Sequence, residues 1–340
     1  MKKEIVSNLF FSILILLLMI ISPMFIIKST PTKASTDEDN NLLSVDEDNK
    51  LISIKGNDKI KVYITKEERI EEISLEEYVK SVVSGEMLVS FSEEALKAQA
   101  VAARTYIISK RSKPCDIANG ADVCDTTHCQ VYISKSERLE KWGDKGEEYW
   151  NKISKAVEET KDKVLTYNNE LVLYPQYFST SSGMTENAVD VFSNDVPYLV
   201  STESKGEEIA PKYESEFYFN INEFVNKINN KYPEAQLTIE NLSGNIEIIS
   251  RSDAGGIKEI RFGKTRIKGA DFRLAFGLSS TNFEYSVDGE SIVFKCTGYG
   301  HGVGMSQWGA NVMANNGSDY GEILKHYYKG TELKAIEFKE

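Results

Sequence analysis

Histidine and cysteine are scarce in this chain, with three of the first and four of the second among 340 residues. So few cysteines cannot staple a disulfide scaffold. So few histidines, with no HExxH pair, count against a zinc hydrolase. Proline is sparse at seven residues, and 41% of the chain is hydrophobic against 27% charged. That balance excludes a disordered, collagen-like or multi-span chain. A basic excess is missing too: 40 Lys and Arg face 52 Asp and Glu, a net charge of −12. Nucleic-acid binders that ignore sequence carry the opposite sign, so no nucleic-acid partner is expected. A chain of this length should hold about two folded units.

What is present begins with one long apolar run. Residues 9–27 are interrupted only by Ser12, Ser22 and Pro23, and Lys2 and Lys3 precede them. A helix of about 20 apolar residues spans a bilayer, and flanking lysines keep the short end in the cytoplasm. Residues 1–8 are therefore expected to be cytoplasmic, 9–27 a single-pass membrane anchor, and 28–50 an acidic linker. The competing reading, a cleaved signal peptide, normally has an apolar stretch of only about 7–15 residues. The folded part is expected outside the cytoplasmic membrane.

From residue 51 the pattern is α+β. A first unit over 51–200 is completed by 296–340, with a smaller α+β unit, 201–295, inserted between them. Short alternating stretches such as 61–65 read as strands. Ser74-Leu-Glu-Glu77 reads as a capping box opening a helix with the apolar stripe Leu75, Val79, Val82 and Val83. The same spacing puts Glu86 on that stripe. Burying a lone carboxyl raises its pKa, as a general acid at neutral pH requires, whereas Arg104 or Lys97 nearby would push the other way, so both signs are open. Ser90-x-x-Glu93 signals a second helix to about Lys110, with Leu96, Ala100, Ala103 and Ile107 on one face. Lys97 and Arg104 share another. Further helices are expected near 147–161, 222–230, 270–276 and 319–328, with a hairpin turning at Asn168-Asn169.

Two clusters add chemistry. The glycine-dense loop 298–304 enters a helix capped by Ser306. No GK[ST] follows it, so a phosphate cradle is disfavoured and a carbohydrate or peptide cleft suits Tyr299, His301, Gln307 and Trp308 better. Cys115-x8-Cys124-x3-His128-Cys129 offers three thiolates and an imidazole, one tetrahedral zinc set. Adjacent His128 and Cys129 do not easily both turn inward, so three protein ligands and four are both open. A Cys124–Cys129 disulfide is the alternative. Cys296 reads as an ordinary buried thiol.

Taken together, Val83-Ser-Gly-Glu-Met87, Glu94-Ala-Leu-Lys-Ala-Gln-Ala-Val-Ala-Ala-Arg104-Thr-Tyr106, Tyr177-Phe-Ser-Thr-Ser-Ser-Gly-Met-Thr185 and His301-Gly-Val-Gly-Met-Ser-Gln-Trp-Gly-Ala310 resemble the stage II sporulation protein D family. The resemblance runs from about residue 60 to the C-terminus. Met184 stands where a second glycine is usual, and Trp308 where tyrosine is. Members are membrane-anchored peptidoglycan lytic transglycosylases of endospore-forming bacteria. The family implies cleavage of the β-1,4 bond between N-acetylmuramic acid and N-acetylglucosamine in peptide-stripped glycan strands, leaving 1,6-anhydro ends. It makes Glu86 the single acid/base, in a cleft between the two units. Arg104, Lys97, Tyr177, Ser179, Ser181, His301 and Gln307 would position the sugar. Clostridial members hold structural zinc in the segment matching Cys115–Cys129, with a histidine where Cys115 stands here, which leaves His128 the less certain ligand. Implied partners are a sporulation amidase (stage II sporulation protein P) and a membrane organiser (stage II sporulation protein M), acting at engulfment from the mother-cell membrane. A glycan-binding protein without turnover and a zinc-dependent cell-wall hydrolase are the alternatives.

Overall fold

A computed structural model describes residues 43–46 and 51–339. The expected anchor and most of the linker lie outside the described residues. Among the described residues, no helix is long and apolar enough to cross a membrane.

Helix α1 (Leu75–Glu86) forms where its stripe predicts, with Val79, Val82 and Val83 fully buried. Acidic Glu76 and Glu77 in its first turn suit the positive end of the helix dipole. Helix α2 (Glu93–Lys110) is buried along most of its length. Its core-facing alanines, Ala95, Ala98, Ala100, Ala102 and Ala103, let neighbouring helices approach closely. The two expected capping boxes do not form, because neither Ser74 nor Ser92 caps with its side chain and α2 starts after Ser92, two residues beyond Ser90. A genuine box, Ser134 with Glu137, opens an unforeseen helix, α3 (Lys135–Trp142). Helix α4 (Gly146–Glu159) packs on α1 and α2.

A five-stranded sheet flanks these helices, in the order Leu43–Asp46, Leu51–Lys55, Glu332–Lys339, Lys163–Tyr167, Glu170–Leu171. Asn168 and Asn169 both take positive φ, 51° and 68°, so the hairpin turns where asparagines allow it. The C-terminal strand runs parallel to Leu51–Lys55 and antiparallel to Lys163–Tyr167, so the last residues close the first core. A smaller sheet joins Arg69–Ser74, Lys59–Ile64 and Val123–Cys124. Tyr177–Phe178 pairs in parallel with Met305–Ser306, which brings the two polar segments of the sequence side by side.

Helix α5 (Ala188–Phe192) precedes a second hydrophobic cluster, which draws its residues from between Ile221 and Cys296. Helices α6 (Ile221–Lys231) and α7 (Gly269–Phe276) and two three-stranded antiparallel sheets surround it. Phe224, Phe262, Phe272, Phe283 and Phe294 fill its centre, with ring centroids 5.2–5.6 Å apart between Phe262, Phe272, Phe283 and Phe294 where they pair. Cys296 is buried in this cluster, as a structural thiol should be. The chain then passes through the glycine loop into α8 (Gln307–Asn315), where Ser306 caps through its side chain, and α9 (Tyr320–Tyr327), boxed by Asp319 and Glu322.

Residues of the two clusters meet at Glu186, whose carboxylate accepts from Gly256 N at 3.2 Å. Cavities lined from both sides of that seam measure only 20 and 10 Å³. Neither of these two cavities has room for a sugar.

Candidate active site and metal centre

Glu86 ends α1, and its carboxyl turns inward against residues of the first core. Val131 N donates to Oε1 at 2.7 Å, and Gln307 Nε2 reaches Oε2 at 3.4 Å. Burial raises the pKa of this carboxyl above the ordinary glutamate range, while bonds from Val131, Gln307 and Tyr177 pull against that rise. Met87 is buried as expected, but Leu88 is 51% exposed and does not shield the acid. Gly85 is required here. A Cβ at this position would collide with the Val131 carbonyl oxygen, so only glycine lets that backbone come close enough to hold Glu86.

A neutral hydrogen-bond network runs out from the acid. The Tyr177 hydroxyl accepts from Gln130 Nε2 at 2.9 Å, and Gln130 Oε1 accepts from the Tyr78 hydroxyl at 3.0 Å. On the other side Gln307 Nε2 reaches Gln99 Oε1 at 3.5 Å, and the buried Gln99 Nε2 has no partner among the described residues. None of Glu86's hydrogen-bond partners is a carboxylate.

Of the residues expected around the sugar, the structure brings Tyr177 and Gln307 to Glu86. Ser179 stays near them, its carbonyl accepting from Trp308 N at 3.0 Å. The others are not brought there. Arg104 is fully buried, paired with Glu76 at 2.8 and 2.6 Å and donating to the Lys163 carbonyl at 3.1 Å. Lys97 is held by Glu94 and Glu159 at 2.7 and 2.6 Å. Ser181 is buried and gives both its N–H and its hydroxyl to Glu207. His301 sits between the Phe178 and Phe192 rings, with Nδ1 accepting from Val303 N at 3.1 Å. Burial first, and nearby Arg273 second, lower its pKa to about 4, so it is neutral at physiological pH. None of these four bonds to Glu86.

Glu76→Gln tests the Arg104 assignment. It leaves a buried guanidinium without its counter-charge, so stability should fall by roughly 3 kcal/mol. Urea unfolding measures this loss; a change under about 0.5 kcal/mol, the range of an ordinary surface substitution, would contradict it.

Sequence reasoning missed Gln130, Tyr78, Gln99 and Glu207. Only Gln130 carried a signal, as the residue following Cys129.

The cysteine segment folds into one cluster. Cys124 lies on the strand that pairs with Val62 and Tyr63. Cys115 N donates to the Asp122 carbonyl, and a turn from Thr126 to Cys129 reverses the chain. That turn lets His128 and Cys129 both face inward, contrary to the sequence expectation. Donor atoms of Cys115, Cys124, His128 and Cys129 all lie within 4.8 Å of one another. His128 Nδ1 is 3.3, 3.9 and 3.7 Å from the sulfurs of Cys115, Cys124 and Cys129. Bonds of about 2.3 Å to sulfur and 2.0 Å to nitrogen at tetrahedral angles require about 3.5 Å between such atoms. The donor set therefore fits zinc with four protein ligands, and all four cysteines of the chain are free thiols.

Cluster and acid are joined by three consecutive residues. Cys129 is a ligand position, Gln130 bridges Tyr78 and Tyr177, and Val131 N holds Glu86. The fold and site thus define an α+β protein in which the Glu86 carboxyl is served by neutral donors and lies beside a Cys3His group that could hold a metal ion. Known proteins share its pattern. Residues 63–167 match the family model described as stage II sporulation protein, SpoIID. The chain is 40% identical over 280 residues to stage II sporulation protein D of Bacillus subtilis, covering 82% of this chain and 79% of that protein. The Bacillus amyloliquefaciens protein of the same name is 39% identical over 283 residues, with the same shares of both chains. A Bacillus subtilis amidase enhancer is 31% identical over 307 residues, covering 76% of this chain and 40% of that protein. The chain belongs to the stage II sporulation protein D family.

Proposed function

We propose that this protein is a lytic transglycosylase of sporulation that cleaves the bond between N-acetylmuramic acid and N-acetylglucosamine in peptide-stripped glycan strands. The observation that carries the reading is the Glu86 carboxyl, raised in pKa by burial and bonded to no second carboxylate. Ordinary glycosidases need two carboxyl groups, one of them to activate water or attack the sugar. A transglycosylase needs one. Protonated Glu86 gives its proton to the glycosidic oxygen as the bond to muramoyl C1 breaks. The resulting carboxylate takes the proton of the muramoyl C6 hydroxyl, whose oxygen closes onto C1. Atoms balance without water, and Glu86 ends protonated as it began.

Val131 N–H and the Gln307 amide stabilise the carboxylate midway through this cycle, and Gln130 holds the Tyr177 hydroxyl toward it. Cys115, Cys124, His128 and Cys129 would hold zinc as a structural clip. The metal would fix the chain that bears Gln130 and Val131 and take no part in the proton transfers. A membrane anchor at residues 9–27, action in engulfment, and work beside a sporulation amidase and a membrane organiser complete the proposal. The name of the amidase-enhancer relative supports the cell-wall setting.

Incubating the purified full chain with peptide-free glycan strands tests this reading. Release of soluble anhydromuramoyl fragments is expected. Binding without any release would favour the glycan-binding alternative.

A further inference from the structure

A cavity of 440 Å³ opens beside the metal-binding cluster, with Cys115 and His128 on one wall. Its other walls combine features that seldom meet by chance. Leu173 and Phe192 lie there 48% and 42% exposed, although both are large and apolar. Tyr106 and Tyr174 meet edge to face with centroids 6.0 Å apart. The Lys110 ammonium lies 4.9 Å from the Tyr174 ring centre and 5.8 Å from that of Tyr106, a placement cation–π attraction fixes. Lys113 lines the same space. Neither lysine forms an ion pair among the described residues, in a chain where acids outnumber bases by 52 to 40. Asp116 shares the wall but lies beyond ion-pair reach of both lysines. Gln176 and Asn194 add amide groups.

A sugar ring has an apolar face of C–H groups and a rim of hydroxyls, and it matches aromatic walls with a few amides. Two ammonium groups held in no ion pair can each take a carboxylate. We propose that this cavity is a subsite for an anionic saccharide: an N-acetylmuramic acid residue whose free lactyl carboxylate faces Lys110 and Lys113. The proposal rests on the glycan-cleaving reading above. Gln176 lines the cavity, and Tyr177, next in the chain, serves Glu86. A strand still carrying stem peptides has amides in place of these carboxylates and loses the attraction.

The test uses the full chain in detergent, carrying Glu86→Gln so that ligand is not consumed. Calorimetry compares a tetrasaccharide of alternating N-acetylglucosamine and N-acetylmuramic acid, carboxylates free, with its methylamide derivative. The free acid should bind about tenfold tighter, the effect of about 1.4 kcal/mol. Raising the salt should erode the preference. Lys110→Gln with Lys113→Gln should abolish it, and Lys113→Gln alone, at an exposed site, should halve it or more if the double variant fails to fold. Equal binding of both ligands overturns the proposal, as does a preference that survives the double substitution. If the preference holds but the unsubstituted protein releases no anhydro product, the subsite stands and the transglycosylase reading falls.

Discussion

Glu86→Gln should lose at least ~10²-fold in glycan cleavage, the usual worth of a general acid/base, while melting no lower than the unsubstituted protein. Both halves follow from the surroundings of the carboxyl. Glutamine has the same shape and can still accept from Val131 N at 2.7 Å, so no hole opens, and Gln307 needs only to flip its amide to meet the new NH2 where it had donated at 3.4 Å. It cannot give a proton to a leaving oxygen or take one from a hydroxyl. Burial raises the Glu86 pKa above the value in the unfolded chain. Its favourable contribution is therefore complete below the ordinary glutamate range and is lost as pH rises through the raised value. At neutral pH the substitution should hold or gain stability against the unsubstituted protein, and below pH 4 that advantage should vanish. Glu86→Asp should also be poor, because the shorter arm withdraws the carboxyl from hydrogen-bond reach. Melting curves at two pH values, with cleavage of peptide-free strands, check the expectation. A folded variant cutting within a few-fold of the native rate would remove Glu86 from the mechanism.

Stripping the metal should lower activity ten- to a hundred-fold without unfolding the helical core. Elemental analysis should first find one zinc per chain. A strong chelator would then free the loop that holds Cys115, Cys124, His128 and Cys129. Gln130 and Val131 follow Cys129 directly, so the Tyr177 bond at 2.9 Å and the Glu86 bond at 2.7 Å would loosen together. A hydrogen bond to a charged group is worth roughly 1.5–3 kcal/mol, and that range corresponds to the stated loss of rate. Core helices α1, α2 and α4 bury their apolar residues mainly against one another, and Cys129 only borders that core, so circular dichroism should keep its helical signal. Returning zinc should restore the rate. Metal-free protein with a Cys124–Cys129 disulfide and full activity would contradict the clip.

Local periodicity made much of this legible. Val79, Val82, Val83 and Glu86 share a face because α1 is a regular helix, so the out-of-place carboxyl could be read from spacing alone. The asparagine turn and the four metal donors were equally local, since each depends on residues close in sequence. The pairing of Arg104 was not legible because its partner, Glu76, lies on a different helix, and no spacing within α2 says which charge will face it. Ser181 looked free for the same reason. Its acceptor, Glu207, is 26 residues away. His301 looked available because a glycine loop suggests an open cleft, whereas Phe178 and Phe192 from other segments pack their rings against it. Polar residues around an acid declare their type in the sequence, but only tertiary packing assigns their partners.

The central claim is that an internal hydroxyl, not water, completes the cleavage that Glu86 begins. Mass analysis of fragments released from peptide-free strands in heavy-oxygen water tests it most directly. The account predicts muramoyl ends lighter than reducing ends by one water and carrying no heavy oxygen. Reducing ends labelled with heavy oxygen would show that water attacks, and the single-carboxyl mechanism would be wrong.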